Sequence, residues 1–362
     1  MTAEPGAILT VDPAAVVANW RLLAARAAPG AVAAVVKADA YGLGAAALAP
    51  ALAAAGCRQF FVATPDEALA LRPLLPGAFL AVLGGVWPGA EADFIAADIV
   101  PVLNNLGEID RWRTAARAAG RALPALLHVD TGMSRLGLDA AELAVLAADP
   151  GRLVGIDLRY VMTHLLAAEC PDDPANAEQG ARFAAACAVL PPVPRSFANS
   201  SGLFLGAAFA SDLARPGAAL WGINPTPGQA NPMRPAARLQ ARVLAVRGVP
   251  SGATVGYNAT FTAARATRIA TVAIGYADGW RPALSNTGAA GFDGARVPLV
   301  GRVSMDLTTF DVTDQPGVRP GVWLDLIGPG QDVDAVAAAA GTNGYEILTG
   351  LGPRIARRYG SL

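Results

Sequence analysis

Lysine is nearly missing from this chain. Of 28 basic residues among 362, one, Lys37, is lysine and the others are arginine. Arginine stays protonated and cannot serve as an amine nucleophile. Lysine can lose its proton and form a Schiff base. Cysteine and histidine are scarce as well. Cys57, Cys170 and Cys187 are odd in number and widely spaced. They give no disulfide framework and no paired-cysteine metal motif, and they leave the cytoplasm as the default compartment. His128 and His164 stand at no metal-ligand spacing, so no metal is expected. Charged residues make up only 16% and the net charge is -1. That excludes a nucleic-acid partner held by general positive charge. The opening MTAEPGAILTVDP lacks a basic stretch followed by an apolar one, so no signal peptide is expected. Apolar runs are interrupted by Gly, Pro or charge before the ~18 residues of a membrane span.

What the chain does have is apolar surface. Hydrophobic residues are 53% of the total, enough for a large core and too many for a disordered chain. At roughly 150 residues per domain the length suits two or three domains, or a barrel of about 250 residues with a smaller partner. From residue 31 onward short apolar runs alternate with Ala-rich helical stretches. Strands are predicted at Val32 to Val36, Phe60 to Ala63, Phe79 to Leu83, Ile99 to Leu103, Ala125 to Val129 and within Leu153 to Thr163. Ser196 to Ala198 and Leu213 to Ala214 are shorter candidates. Helices are predicted near Ala45 to Ala55, from Pro65, over Pro88 to Ala97, up to Arg117, from Ala140 and around Ala175 to Val189. Eight such units in about 200 residues suggest a closed parallel (β/α)8 barrel of TIM type. The competing open sheet is weakened because no GxGxxG follows the first strand.

After about residue 235 the pattern changes. Val243 to Val249, Thr267 to Ile274, Val297 to Arg302, Leu307 to Val312 and Val322 to Ile327 read as strands separated by turn signals. A helical pattern at Asp334 to Ala340 and the segment Glu346 to Leu351 close the chain. This predicts a C-terminal, mainly β domain behind a linker near Pro225 to Pro235.

On the barrel reading, Lys37, His128, Asp130, Arg135, His164, Asn199, Ser200 and Arg215 all fall at or just past the C-terminal ends of strands. In a barrel of this type that end is the catalytic face. Asn199-Ser200-Ser201-Gly202 follows strand seven and Arg215-Pro216-Gly217-Ala218 follows strand eight. Loops at those two places commonly bind phosphate through backbone N–H groups. A Schiff-base lysine beside a phosphate site points to pyridoxal 5'-phosphate, an electron sink for carbanions.

The resemblance to a known family is carried by AVVKADAYGLG at Ala34 to Gly44, HVDTGMSRLG at His128 to Gly137, VMTHLL at Val161 to Leu166 and FANSSG at Phe197 to Gly202. It continues through RPGAALWG at Arg215 to Gly222, VGYNATF at Val255 to Phe261, GYADGW at Gly275 to Trp280, GRVSMD at Gly301 to Asp306 and RRYG at Arg357 to Gly360. In this order, over essentially the whole chain, the set resembles the alanine racemases. The resemblance implies a barrel over residues 11–232 and a β domain over 233–362, joined by a first strand within 1–10. It implies a head-to-tail homodimer with shared active sites, a role in supplying D-alanine for peptidoglycan or in breaking alanine down, and no membrane or nucleic-acid partner.

The resemblance also implies residue roles. Lys37 would carry the cofactor and serve the D-alanine face of the substrate, and Tyr257 of the other chain would serve the L-alanine face. His164 would stand next to Tyr257 and link onward to Arg215, which faces the pyridine nitrogen. Decarboxylases of the same fold use a carboxylate at the place of Arg215. Tyr41, Ser200, Gly217, Ala218 and Tyr359 would cradle the phosphate beside Asn199. Arg135 and the Met305 N–H would meet the substrate, and Tyr276 would gate the entrance. Two positions depart from the pattern. His128 stands where many relatives carry a carbamylated lysine, which leaves Arg135 to be held by an anion or by His128 itself. Ser304 stands where relatives often carry cysteine, which keeps a broad-specificity or serine racemase open as an alternative. A non-catalytic pyridoxal-phosphate homeostasis protein is the other alternative; such proteins resemble only the first 230 residues or so.

Overall fold

The computed structural model describes residues 4–362. The chain begins in what becomes its second half. Strand β1 (Ala7–Val11) leads directly into helix α1 (Pro13–Ala27). The Asp12 carboxylate accepts the Ala14 and Ala15 N–H groups, and Pro13 sits in the first turn, where its missing N–H costs nothing. Of the expected first strand within 1–10, residues 1–3 lie outside the described residues.

Parallel strands then alternate with helices. The first barrel strand is split into β2 (Ala31–Val32) and β3 (Ala34–Val35). Helix α2 (Ala45–Ala54), β4 (Gln59–Val62), α3 (Pro65–Leu71), β5 (Phe79–Val82) and α4 (Glu91–Ala96) follow. Next come β6 (Val100–Leu103), α5 (Leu106–Ala119), β7 (Leu123–His128), α6 (Ala140–Ala148), β8 (Ile156–Met162) and α7 (Pro174–Val189). The short β9 (Arg195–Ser196) and β10 (Leu213–Ala214) complete the ring. Strands β3 to β9 pair in order, and β10 pairs with β2. The Arg215 N–H donates to the Ala198 carbonyl, bridging the ends of β9 and β10, so the sheet closes on itself.

Strand periodicity sorts the side chains. Ala33, Val35, Phe61, Ala81, Val102, Leu126 and Met162 fill the barrel interior. Their neighbours Val32, Ala34, Phe60, Val62, Leu80, Val82, Leu103 and Leu127 pack outward against the helices.

Two expectations for the barrel need correction. The last two units carry no α-helix, only 3-10 turns at Gly202–Phe204, Ala207–Phe209 and Ala218–Trp221. Gly206 and Gly222, at φ 102° and 86°, interrupt any longer helix. The helix expected over Pro88 to Ala97 starts only at Glu91, after a turn in which Gly89 takes φ 88°.

The second half is a twisted, mostly antiparallel sheet. Its long spine is β11 (Ala237–Val249), which pairs with β1 and then, from Val243 onward and across a bulge before Ala245, with β14 (Thr267–Val272). A hairpin of β12 (Thr254–Val255) and β13 (Phe261–Thr262) projects between them. Strands β15 (Ala289–Phe292), β16 (Ala295–Pro298), β17 (Thr308–Asp311) and β18 (Trp323–Ile327) extend the sheet. Helices α8 (Val333–Ala340) and α9 (Gly344–Thr349) then lead to β19 (Ala356–Tyr359), which runs parallel to β1.

Candidate active site

The residues after β3 take an unusual path. Ala38, Asp39, Ala40 and Tyr41 all lie in the left-handed region, at φ 51° to 56°. None is glycine, so each Cβ crowds the backbone. Such strain persists only where surrounding structure over-determines it. Here three contacts hold the turn. The Ala38 N–H donates to Glu67 Oε1 at 2.6 Å, and the Ala45 N–H to Asp39 Oδ1 at 2.7 Å. The Gly42 N–H donates to the Ala38 carbonyl at 2.7 Å. Glu67 caps its own helix as well, accepting the Thr64 N–H and, beside it, the Ala63 N–H. Lys37, at the head of this turn, is half-buried. Burial and the neighbouring Arg135 hold its pKa below the ordinary lysine value, against an opposing pull from Glu67.

Around the barrel mouth the structure gathers further basic side chains. Arg215 is 3% exposed, and no carboxylate pairs with it among the described residues. Its Nη1 donates to Ser196 Oγ at 2.5 Å and its Nη2 to the Thr163 carbonyl at 2.6 Å. Burial lowers its pKa to about 10, so it is protonated at neutral pH. Burial pushes His164 down to about 3, helped by Arg215, Arg135, Lys37 and His128. His128 is held at about 4 by burial and by Arg215. Both imidazoles are therefore neutral at pH 7.

The His128 tautomer is fixed by its partner. Asn104 Nδ2 donates to the Leu83 and Val102 carbonyls, which leaves Asn104 Oδ1 facing His128 Nδ1 at 2.8 Å. That nitrogen carries the proton, and Nε2 is left as an acceptor. Arg135 lies on an exposed loop, which Asp130 folds by accepting the Gly132, Met133 and Ser134 N–H groups. Gln179, 1% exposed, ties this loop to the next one by donating to Thr131 Oγ1 and to the His164 carbonyl.

The loops after β9 and β10 make a donor cradle. Ser200 Oγ accepts the Gly217 and Ala219 N–H groups, both at 3.1 Å. With both lone pairs engaged, the hydroxyl proton is what remains, and it suits an anionic oxygen. The Ala218 N–H opens a 3-10 turn, where the first N–H groups have no intrahelical partner. A Cβ on Gly217 would stand 2.3 Å from the Tyr41 hydroxyl, so Tyr41 closes over this loop only because residue 217 is glycine.

The other two expected cradle members make local contacts of their own. The Tyr359 hydroxyl donates to the Leu43 carbonyl, and a Cβ on Gly44 would overlap it. Tyr359 therefore packs against the lysine turn. Asn199 caps the Gly202 turn through Oδ1 and donates to the Leu165 carbonyl. Tyr257, Tyr276 and Met305 lie on the second half of the chain and are 69%, 45% and 54% exposed. None of their hydrogen bonds joins the group at the barrel mouth. Sequence reasoning missed Glu67, Asn104 and Gln179. Only Glu67 had a local signal, the capping box begun by Thr64.

A closed barrel with one amine, a buried unpaired guanidinium, neutral histidines and a donor cradle defines an enzyme that binds an anionic group and moves protons beside it. Known proteins make this specific. Residues 11–225 match the alanine racemase N-terminal domain and residues 236–359 the alanine racemase C-terminal domain. The chain belongs to the alanine racemase family. The alanine racemase of Acidiphilium cryptum is 61% identical over 349 residues, covering 96% of this chain and 97% of that protein. That of Rhodospirillum rubrum is 53% identical over 360 residues, with 98% and 96% covered. A crystal structure of alanine racemase from Bartonella henselae with covalently bound pyridoxal phosphate superposes with a TM-score of 0.95 at 43% identity, covering 98% of this chain and all of that one.

Proposed function

We propose that this chain interconverts L-alanine and D-alanine, with pyridoxal 5'-phosphate bound through Lys37. The observation that carries this reading is the pairing of the only lysine with the Ser200 cradle and the unpaired Arg215 at one barrel mouth. The donor set fits the group: Ser200 and the Ala218 N–H suit a phosphate, and a buried guanidinium without a carboxylate suits an acceptor nitrogen. When bound, pyridoxal phosphate supplies an aldehyde for amines and a ring that withdraws electrons from the adjacent carbon.

This chain's residues supply the rest. Lys37 Nζ moves the proton on one face of the substrate carbon, and the Tyr257 hydroxyl of a second copy moves it on the other. His164, neutral and flanked by Arg215, stands next to that tyrosine. With the cofactor bound, Arg215 would face its ring nitrogen and, keeping its own protons, would donate there where a carboxylic acid would protonate it. Arg135, the Met305 N–H and Tyr276 receive the substrate. The exposure of Tyr257, Tyr276 and Met305 in a single chain supports a homodimer with shared sites, built from a barrel over 11–232 and a β domain over 233–362. Enantiomers have equal free energy in water, so the direction of use follows supply and demand in the cytoplasm. The pyridoxal-phosphate homeostasis alternative is set aside because residues 236–359 match the second domain of the family. Turnover of L-serine against L-alanine tests the place of Ser304.

The defining experiment follows each face separately. Borohydride reduction should put the pyridoxyl label in the Lys37 peptide. Tyr257→Phe should lose about 10²–10⁴-fold in racemisation. That variant should still exchange the α-proton of D-alanine with deuterium while exchange from L-alanine collapses. Equal loss of exchange from both enantiomers, with cofactor bound, refutes the assignment of the two faces.

A further inference from the structure

Between the loops of Tyr276 and Met305 stands a side chain that the reaction does not use. Arg354 grips Asp278 with two parallel bonds, Nε to Oδ1 at 2.7 Å and Nη2 to Oδ2 at 2.9 Å. Its remaining Nη1 reaches Asp306 Oδ1 at 2.8 Å. Asp278 is buried, 5% exposed, and its Oδ2 also accepts the Gly275 N–H. Asp278 lies two residues after Tyr276, and Asp306 directly follows Met305. One guanidinium therefore fastens both loops, which also touch through Tyr276 N–H to Ser304 carbonyl and Ala277 N–H to Met305 carbonyl, each 2.9 Å. Bidentate arginine–carboxylate pairs fix orientation as well as distance.

The same stretch of chain reaches the other way. Arg357 Nε donates to the Gly42 carbonyl at 3.1 Å, beside the left-handed turn of Lys37. Contact with the chain's own lysine turn and contact with the Tyr276 and Met305 loops thus lie three residues apart.

We propose that Arg354 is a positioning residue for the active site of the partner subunit. It sets Tyr276 and Met305 in one arrangement and acts on the Lys37 of the other chain rather than its own. This rests on the shared-site reading above. A purely structural role would act within its own chain, through Arg357 and Gly42.

Heterodimers isolated by two different tags separate the cases. When Lys37→Ala is paired with Arg354→Gln, the one live site uses the barrel of the second chain and the intact rim of the first. It should have wild-type kcat/KM per site. When wild type is paired with the double variant Lys37→Ala/Arg354→Gln, the live site has an intact barrel and an altered rim. It should fall to the level of the Arg354→Gln homodimer, about tenfold or more below wild type, chiefly through KM. The reverse pattern, or equal rates in both heterodimers, overturns the proposal. Arg354→Lys keeps the charge without the fork and should recover part of the loss. A Lys37→Ala and Tyr257→Phe pair is the control. If it regains no activity, the shared-site reading falls and takes this proposal with it. If it regains activity while the Arg354 pairs disagree, only this proposal falls.

Discussion

Replacing Ala38 by glycine should make the enzyme more stable and slower. Ala38 sits at φ 51° and is exposed, so its methyl crowds the backbone and lies outside the core. A Cβ in the left-handed region costs roughly 1–2 kcal/mol. Glycine removes that cost but gives the unfolded chain more freedom, about 0.4–1 kcal/mol. The balance is a gain of roughly 0.5–1 kcal/mol. Both backbone bonds of the residue, to Glu67 and from Gly42, survive the change. Ala40, at φ 54°, is the internal control, because its methyl is fully buried. Losing a buried methyl costs about 0.8 kcal/mol, which cancels the relief. The assay is urea denaturation of holoenzyme at fixed protein and saturating cofactor, since bound ligand stabilises by mass action. Ala38→Gly should raise the midpoint and Ala40→Gly leave it nearly unchanged. The turn also aims Lys37, so kcat of Ala38→Gly should fall several-fold as that aim loosens. A lower midpoint for Ala38→Gly, or an equal gain for both variants, refutes the strain argument.

Other outcomes follow from the same site. Gly217→Ala drives a Cβ to 2.3 Å from the Tyr41 hydroxyl and 2.9 Å from the ring carbon that bears it. Overpacking of this kind costs about 1–3 kcal/mol, read as weaker cofactor binding. Tyr41→Phe in the same chain should return part of the loss, and strictly additive effects would contradict the contact. Stability should also depend on acid. His128 and His164 are held neutral at about 4 and about 3, whereas unfolded histidine takes its proton near 6.5. The unfolded chain binds more protons between those values, so stability present at pH 7 is lost as pH falls from about 6.5 toward 3. His128→Gln should flatten that dependence between pH 7 and 5, and an unchanged slope would count against it. Nitrogen NMR of His128 should find the proton on Nδ1; a proton on Nε2 contradicts the Asn104 geometry.

The amino-acid sequence by itself determined the repeating part of this protein. Apolar runs such as Phe60 to Ala63 and Ala125 to Val129 announce strands because alternate side chains must be buried on both faces. Thr64-Pro65-Asp66-Glu67 announces a helix because its cap and first turn are local chemistry. Strand ends could therefore be found, and with them Lys37, His164, Ser200 and Arg215, because in a barrel the end of a strand is the face of the site. Segments whose signal is not local escaped. Ala289–Phe292 is small and contains glycine, and Ala356–Tyr359 is mostly charged or polar; each is a strand because a neighbour is there to pair with it. The seventh and eighth units are short in sequence as in structure, two-residue strands followed by glycine-interrupted turns. The support of the site was equally invisible. Glu67 meets Ala38 across 29 residues, Asn104 meets His128 across 24, and Tyr359 meets Leu43 across 316. No sequence pattern encodes a hydrogen bond between residues so far apart. Only the closed fold brings the partners together, and burial then decides which groups keep their charge.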